Sequence, residues 1–522
     1  MPKQDVRGKA IMKKRELKNS FEGVKVTSAS QMASTEKQAI EEGDATGAEY
    51  MDKAASGIYS VASQFILEHL LEEKLILLCG KGNNAGDAYS VGKMYQSKRG
   101  PVIAFQFFPL ADCSDLCQKR AHAFIKSGGK IVFIKAIEDL EFIDNTLIID
   151  GLFGTGFKGA VQGVMKDAIE KTNCSENLVL SIDIASGISG NTGTAEGVAI
   201  KADMTVSLGL LKVGNIYNGG IEHLGEIERV NFGMSAKYID SIDPYGYLVN
   251  IESLKYNLPQ HKRTANKYSV GKVAIVGGSP LMPGAPILAA KGALRSGAGI
   301  VQLFHPPNMV GELSSLPTEV LRGEVALDQM ERFFSEVERI KGLLVGPGLG
   351  REEHIPKLLE EVYKRAKCPL VIDADALYFF KNLPPVPSIL TPHRGELLHL
   401  LQANKDILET DLIDLAEEFA KQNNLVIVCK GAPTTIVFPN RKKIIVMQGN
   451  RGMASGGMGD VLAGIITSFV AQGKDIEEAA ILGVTVHAMA GDKAKKKKST
   501  YSLIASDLIS ELPSVFLDFG LI

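Results

Sequence analysis

Leu75-Ile-Leu-Leu-Cys79 runs into Gly80-Lys-Gly-Asn-Asn-Ala-Gly-Asp87 and then into Ala88–Gln96, a stretch of helix length. Five consecutive apolar residues bounded by glycine read as a strand buried on both faces. The small residues behind it let backbone approach a ligand, and free N–H groups at the helix start favour an anion such as a pyrophosphate. A tight strand–helix turn with Asp87 near the cap explains the same residues equally well. The spacing is not G-x-G-x-x-G, so it does not by itself specify a dinucleotide fold. The unit recurs, however. Short apolar runs at Val102–Phe108, Lys130–Ile134, Thr146–Asp150, Leu178–Asp183 and Met204–Leu208 alternate with amphipathic stretches. A second series follows at Lys272–Val276, Ile300–Phe304, Gly342–Val345, Leu370–Ile372, Ser388–Leu390 and Leu425–Cys429. This alternation predicts an α/β chain with parallel sheets. In such sheets ligands bind outside the carboxyl ends of the strands, so the informative residues should follow the strands.

A chain of 522 residues holds two large α/β domains or about three ordinary ones of roughly 150 residues. The turn-rich stretch between Gly233 and Tyr247, with Ser235, Ser241, Asp243, Pro244 and Gly246, marks the boundary. No repeat relates the halves. The hydrophobic content of 45% and charged content of 23% are those of a globular chain, which excludes a disordered scaffold. The net charge of −2 gives no basic footprint for nucleic acid. No apolar run reaches the ~18 residues of a membrane span. Six scattered cysteines, with Cys113 and Cys117 the one close pair, form no zinc pattern and read as reduced thiols of a cytoplasmic protein. Residues 1–27 form a basic extension without the apolar core of a secretory signal; a ragged start is preferred to a transit peptide because Asp5, Glu16 and Glu22 interrupt the basic pattern.

In the first half, two more strand ends carry oxygen-rich turns: Asp150-Gly-Leu-Phe-Gly-Thr-Gly156 and Asp183-Ile-Ala-Ser-Gly187. One such Asp is usually a cap or turn residue. Three oxygen-rich ends in one sheet suit a hard cation or an anion. In their order these motifs resemble the NAD(P)H-hydrate epimerase family from about Ser28 to Gly233, over a domain drawn at 28–240. The resemblance implies a Rossmann-like three-layer sandwich that interconverts R and S forms of NADH and NADPH hydrated on the nicotinamide ring (NADHX and NADPHX). It implies hydrate contacts from Asn83, Asn84, Ala85, Gly86 and Asp87, from Gly154, Thr155, Gly156, Phe157, Lys158, Gly159 and Ala160, and from Asp183. It implies a K+ site at Asn84, Asp150 and Ser186, with Asp183 as catalytic acid/base. The chain departs from the family pattern at Ala85, Ala88 and Ala185, of which Ala85 is expected to tighten the ligand loop.

In the second half, Lys272-Val-Ala-Ile-Val-Gly-Gly-Ser279, Gly346-Pro-Gly-Leu-Gly350, Asp373-Ala-Asp375 and Thr391-Pro-His-Arg-Gly-Glu396 each join a strand to a turn. Alone each is weak. The sharper signal is Gly449-Asn-Arg-Gly-Met-Ala-Ser-Gly-Gly-Met-Gly-Asp460, followed by Val461, Leu462, Ile465, Ile466, Phe469 and Val470 at helical spacing, which predicts one buried face. Glycines crowded before a helix expose N–H groups to a phosphate, and Asp460 can take a proton from a hydroxyl. The bland alternative is an N-cap behind a flexible loop. Gly-Gly-Met-Gly-Asp460 resembles the anion hole and base of ribokinase-like folds. The ordered set, over 247–522, resembles the ADP/ATP-dependent NAD(P)H-hydrate dehydratases. That resemblance implies a ribokinase-like three-layer sandwich, hydrate contacts from Ala285, Gly348, His393 and Asp460, and Asp460 as catalytic base. It implies nucleotide contacts from Lys430, Gly431, Ala432, Pro433 and Thr434, and from Asn450, Gly452, Met453, Ala454, Ser455, Gly456, Gly457, Met458 and Gly459.

The combined expectation is a repair enzyme that epimerises hydrated NAD(P)H and dehydrates the S form at the expense of ADP or ATP, with Mg2+ as nucleotide partner. The alternative is a ribokinase-like small-molecule kinase carrying a non-catalytic nucleotide-binding module. Lys493, Lys495, Lys496, Lys497 and Lys498 read as a solvated helix end rather than a nucleic-acid or membrane patch. Oligomeric state stays open, a homo-oligomer included.

Overall fold

A computed structural model of the chain describes residues 20–521 apart from 308, 310 and 382, so most of the basic extension lies outside the described residues. The chain forms two compact units. One is Val24–Tyr245; the other is Gly246–Ile522 together with the residues up to Gly23.

The sheet of the first unit runs, edge to edge, Lys130–Phe133, Val102–Gln106, Leu75–Cys79, Leu147–Gly151, Leu178–Ile182, Met204–Leu208 and Glu226–Val230, with every pairing parallel. The chain order reverses between Leu75–Cys79 and Leu147–Gly151, so the crevice at this switch point opens beside Gly80 and Asp150. Leu75–Cys79 is buried throughout, as an apolar run in a parallel sheet must be. Helix Asn83–Lys98 starts several residues before the expected Ala88, with Gly82 as N-cap. Asp87 is therefore not near a cap but inside the helix, and it is 7% exposed. Helix Ala29–Glu41 starts at Ser28, whose side chain accepts from Gln31 N. Ala85, Ala88 and Ala185 all pack in hydrophobic cores. The Ala85 methyl group fills core.

In the second unit, Val320–Glu324, Ile300–His305, Lys272–Val276, Gly342–Val345, Leu370–Ile372, Ser388–Leu390 and Val426–Cys429 lie side by side in parallel. Thr434–Val437 and Lys443–Val446 then continue the sheet antiparallel, an addition the sequence pattern did not reveal, and Gly246–Val249 pairs beyond them. Helix Met458–Ala471 is buried at every position from Val461 to Ala471, not along one face as its spacing suggested. Apolar residues all round let it pack between helices Gly284–Arg295 and Ile476–Lys498 and against Gly342–Val345. Glycines set the closest approach. A Cβ on Gly464 would lie 2.0 Å from Ala289 O, and one on Gly292 would lie 2.7 Å from Val461 O. The lysine run ends helix Ile476–Lys498 and meets helix Ala505–Asp518. Lys493 lies 2.7 Å from Asp518 and Lys497 2.8 Å from Glu511, so a structural role absorbs part of that charge.

Candidate functional site

The first unit carries a cavity of about 870 Å³ at its switch point, large enough for much of a dinucleotide. Its wall includes Asn83, Asn84 and Asp87 from the first helical turns after Leu75–Cys79, and Gly154 to Lys158 from the turn after Leu147–Gly151. Asp183, after Leu178–Ile182, also reaches it, whereas Ala85, Gly86, Gly159 and Ala160 are not on its wall. Phe153 and Phe157 lie with ring centres 4.3 Å apart on one side. Lys81 and Lys158 add positive charge.

Asp183 adopts φ 66°, a left-handed conformation that costs a non-glycine residue energy. Its Oδ1 accepts from Leu208 N at 2.9 Å and from the Lys212 ammonium. Lys212 is 1% exposed and also donates to Leu208 O at 2.7 Å. Asn215 Oδ1 accepts from Lys212 N, and Asn215 Nδ2 donates to Asp183 O. All described contacts of the carboxylate fall on Oδ1, which leaves Oδ2 for a ligand. Sequence reasoning missed Lys212. It sits in an apolar context, Leu210-Leu-Lys-Val213, and an ammonium flanked by buried residues was the available signal.

Asp150 is fully buried, and every hydrogen-bond donor to it is neutral. Ser181 Oγ and Ser186 N donate to Oδ2 at 2.8 Å each; Ser186 Oγ at 2.5 Å and Leu152 N at 3.2 Å donate to Oδ1. Burial raises its carboxyl above the ordinary range, while the bonds from Ser186 and Ser181 and from Leu152 N pull the other way. Phe153 O accepts from Asn84 Nδ2 at 2.8 Å and from Ser186 Oγ at 3.3 Å. Asn84 and Ser186 thus meet at one carbonyl, and Ser186 links it to Asp150. A buried carboxylate with no ammonium or guanidinium on it, among oxygen ligands, is chemistry that a hard cation accepts.

In the second unit, Asp460 is the third residue of helix Met458–Ala471, behind the N-cap Gly457 at φ 88°. Burial and the neighbouring Asp373 push its carboxyl up to about 7, against the opposing effect of Lys430. Lys430 Nζ lies 2.9 Å from Asp373 Oδ1 and 3.8 Å from Glu396, and a Cβ on Gly459 would meet it at 3.2 Å. Burial opposes its charge, but Asp373 and Glu396 more than offset this and raise its pKa. Thr391 Oγ1 donates to the same Asp373 oxygen at 2.8 Å. A Cβ on Gly348 would come within 3.1 Å of Ala285 Cβ, so these two predicted hydrate contacts do adjoin. His393 caps helix Arg394–Leu401: its Nδ1 accepts from Gly395 N at 3.0 Å and Glu396 N at 3.3 Å, which leaves Nε2 toward Glu396 at 3.4 Å. It also bridges Lys430 through the backbone.

The loop 449–459 is pinned by Asp492, which accepts from Gly449 N at 2.9 Å and Asn450 Nδ2 at 3.0 Å. Asn450 Oδ1 in turn accepts from Gly452 N at 3.1 Å, so this side chain shapes the loop. Thr434 Oγ1 donates to Gly431 O across the turn Lys430–Pro433 at 3.0 Å. Among the described residues no three His, Cys, Asp or Glu side chains group as a metal site.

A family model described as NAD(P)H-hydrate dehydratase matches residues 273–514, and one described as YjeF-related protein N-terminus matches residues 47–214. The bifunctional NAD(P)H-hydrate repair enzyme of Moorella thermoacetica is 30% identical over 500 residues, covering 89% of this chain and 94% of its own. That of Vibrio cholerae is 33% identical over 470 residues, covering 88% of this chain and 92% of its own. A solved ADP/ATP-dependent NAD(P)H-hydrate dehydratase from Bacillus subtilis is 28% identical, with TM-score 0.47, covering 52% of this chain and 97% of that one.

Proposed function

We propose roles for individual residues on one premise: the chain belongs to the family of bifunctional NAD(P)H-hydrate repair enzymes. It is an enzyme with an N-terminal epimerase half and a C-terminal NAD(P)H-hydrate dehydratase half. Relatives of the same name match across both halves, which sets aside a kinase with an inert N-terminal module.

In the epimerase half, which we draw at 28–240, the hydrated nicotinamide lies against Phe153 and Phe157 with Asp183 at its hydroxyl-bearing carbon. Lys81, Lys158 and the first N–H groups of helix Asn83–Lys98 face the pyrophosphate. Asn84, Asp150 and Ser186 would hold potassium, which would supply positive charge beside the ligand loop. Lys212 fixes the Asp183 carboxylate so that Oδ2 can exchange a proton with the substrate oxygen.

In the dehydratase half, drawn at 247–522, the S hydrate rests on Ala285 and Gly348 with His393 at its edge. ADP or ATP lies along the loop 449–459 and the turn Lys430–Thr434. Magnesium would arrive on the nucleotide phosphates, as that ion usually does. Asp460 takes the proton of the ring hydroxyl while its oxygen bonds to the terminal phosphorus and the nucleotide leaves. The N–H groups of helix Met458–Ala471 and the Lys430 ammonium carry the charge that develops on the transferring group. The new phosphate then departs with the C–O electron pair, pushed by the ring nitrogen's lone pair. The observation that carries this assignment is the Asp460 carboxyl, held near neutrality at a helix start beside Lys430.

The test uses the full chain and pure hydrates. S hydrate with nucleotide regains the reduced-nicotinamide absorbance; R hydrate does so only after epimerisation. D183N removes the second response alone, and D460N removes both. Absence of recovery from S hydrate, or a stable phosphate ester, overturns the reading.

A further inference from the structure

Epimerising a ring hydroxyl by loss and re-addition of water needs proton transfer on both faces of the ring, and Asp183 can serve one of them. Helix Ala29–Glu41 contributes Ala29, Met32, Ala33, Glu36 and Ile40 to the cavity wall, a stripe at helical spacing. Four of these are apolar, and Glu36 is the exception. No hydrogen bond or ion pair holds its carboxyl among the described residues. A carboxyl placed on an apolar wall without a partner is expensive unless it has a task.

We propose that Glu36 is the second proton-transfer residue of the epimerase, working on the face of the nicotinamide ring opposite Asp183. This rests on the epimerase reading above and extends it. Glu36 donates its proton to the departing hydroxyl as the C–O bond breaks with its electron pair on oxygen. Water leaves, and the ring nitrogen's lone pair closes a nitrogen–carbon double bond. A second water adds to the other face and gives its proton to Asp183. The reverse epimerisation exchanges the two roles, and solvent water returns the proton.

The surroundings of the two carboxyls differ as this division requires. Asp183 is paired with Lys212, whereas burial first and the Asp183 charge second raise the Glu36 carboxyl, against the pull of Lys212. Asp183, Lys212, Asp87 and Tyr50 are the titratable groups around it, and each lines the same cavity. Glu36 precedes the 47–214 match to the family model.

The experiment follows interconversion of pure R and S hydrates by NMR with the full chain, with turnover of S hydrate by the dehydratase half as internal control. E36Q should slow epimerisation by about 10²- to 10⁴-fold while KM and S-hydrate turnover hold, with E36D partly restoring the rate. The wild-type rate should be bell-shaped in pH, as for a pair sharing one proton, and E36Q should lose one limb. Epimerisation in ¹⁸O-water should label the hydroxyl once per inversion. E36Q at the wild-type rate, or inversion without label, overturns the proposal. A wild-type chain that does not interconvert the hydrates overturns instead the reading it rests on. A lowered Tm with E36D equally inactive assigns Glu36 to structure and likewise refutes it.

Discussion

Replacing Asp460 by Asn should make the protein more stable and less active at once. The carboxyl rises from the ordinary 3.8 to about 7 in the folded chain because it is buried and faces Asp373. A raised acid is protonated in the native state while it is ionised in the unfolded one. Between about pH 4 and 7 the native state therefore binds more protons, and stability falls as pH rises through that window, then levels. A rise of about three in pH, at ~1.4 kcal/mol for each, is a penalty of about 4 kcal/mol above pH 7. Asn has the same shape and carries no charge to desolvate. The Tm gain of D460N should be near zero at pH 4, grow to pH 7 and then hold. At ~2–4 °C per kcal/mol the plateau is on the order of 10 °C. Dehydratase turnover should fall by about 10²–10⁴-fold. The assay is differential scanning calorimetry from pH 4 to 8, with absorbance recovery from S hydrate. A mutant no more stable than wild type at pH 8, or a gain that does not vary with pH, refutes the reasoning.

K212M leaves Asp183 as a charge without its partner; for a buried pair this costs about 3–5 kcal/mol, so the first unit should melt earlier and epimerisation should vanish while S-hydrate turnover persists. S186A removes the hydroxyl that bonds Asp150 Oδ1, Phe153 N and Phe153 O, and potassium should then cease to raise the Tm or the epimerisation rate, measured against tetramethylammonium salts. G464A forces a methyl group to within 2.0 Å of Ala289 O and should cost about 1–3 kcal/mol of stability by calorimetry. His487, whose buried ring donates from Nε2 to Met458 O at 3.0 Å, is held down to about 4 by burial. A base with a lowered native pKa withdraws stability as pH falls from about 6.5 to 4; H487Q should flatten that acid limb of the Tm profile.

The strand–turn–helix units were legible because a short, mainly apolar run that ends at a glycine has few other uses. Leu75–Cys79 and Lys272–Val276 carry the observed bounds. The antiparallel pair Thr434–Val437 and Lys443–Val446 was not, since it is joined to Val426–Cys429 by a turn already taken as a ligand loop. The start of helix Asn83–Lys98 was misplaced because Asn, Gly and Asp favour turns until packing overrides them, as it does at the buried Asn84 and Asp87. Strand-end carboxylates stood out in the sequence. Their partners did not. Lys212, Glu36 and Asp492 reach the sites from elements whose proximity exists only after folding, and apart from the apolar flanks of Lys212 no local pattern announces them.

The backbone contact at Gly464 and Gly292 has a consequence for how such an enzyme can diverge. Helix Gly284–Arg295 begins next to Ala285 and helix Met458–Ala471 begins next to Asp460. Their main chains touch without intervening side chains, so the two starts form one ruler of fixed length. The residues around Ala285 and Gly348 would then be free to drift and admit a different ring or base, while the gap proposed for phosphoryl transfer stays constant. Losing either glycine would change the ruler itself.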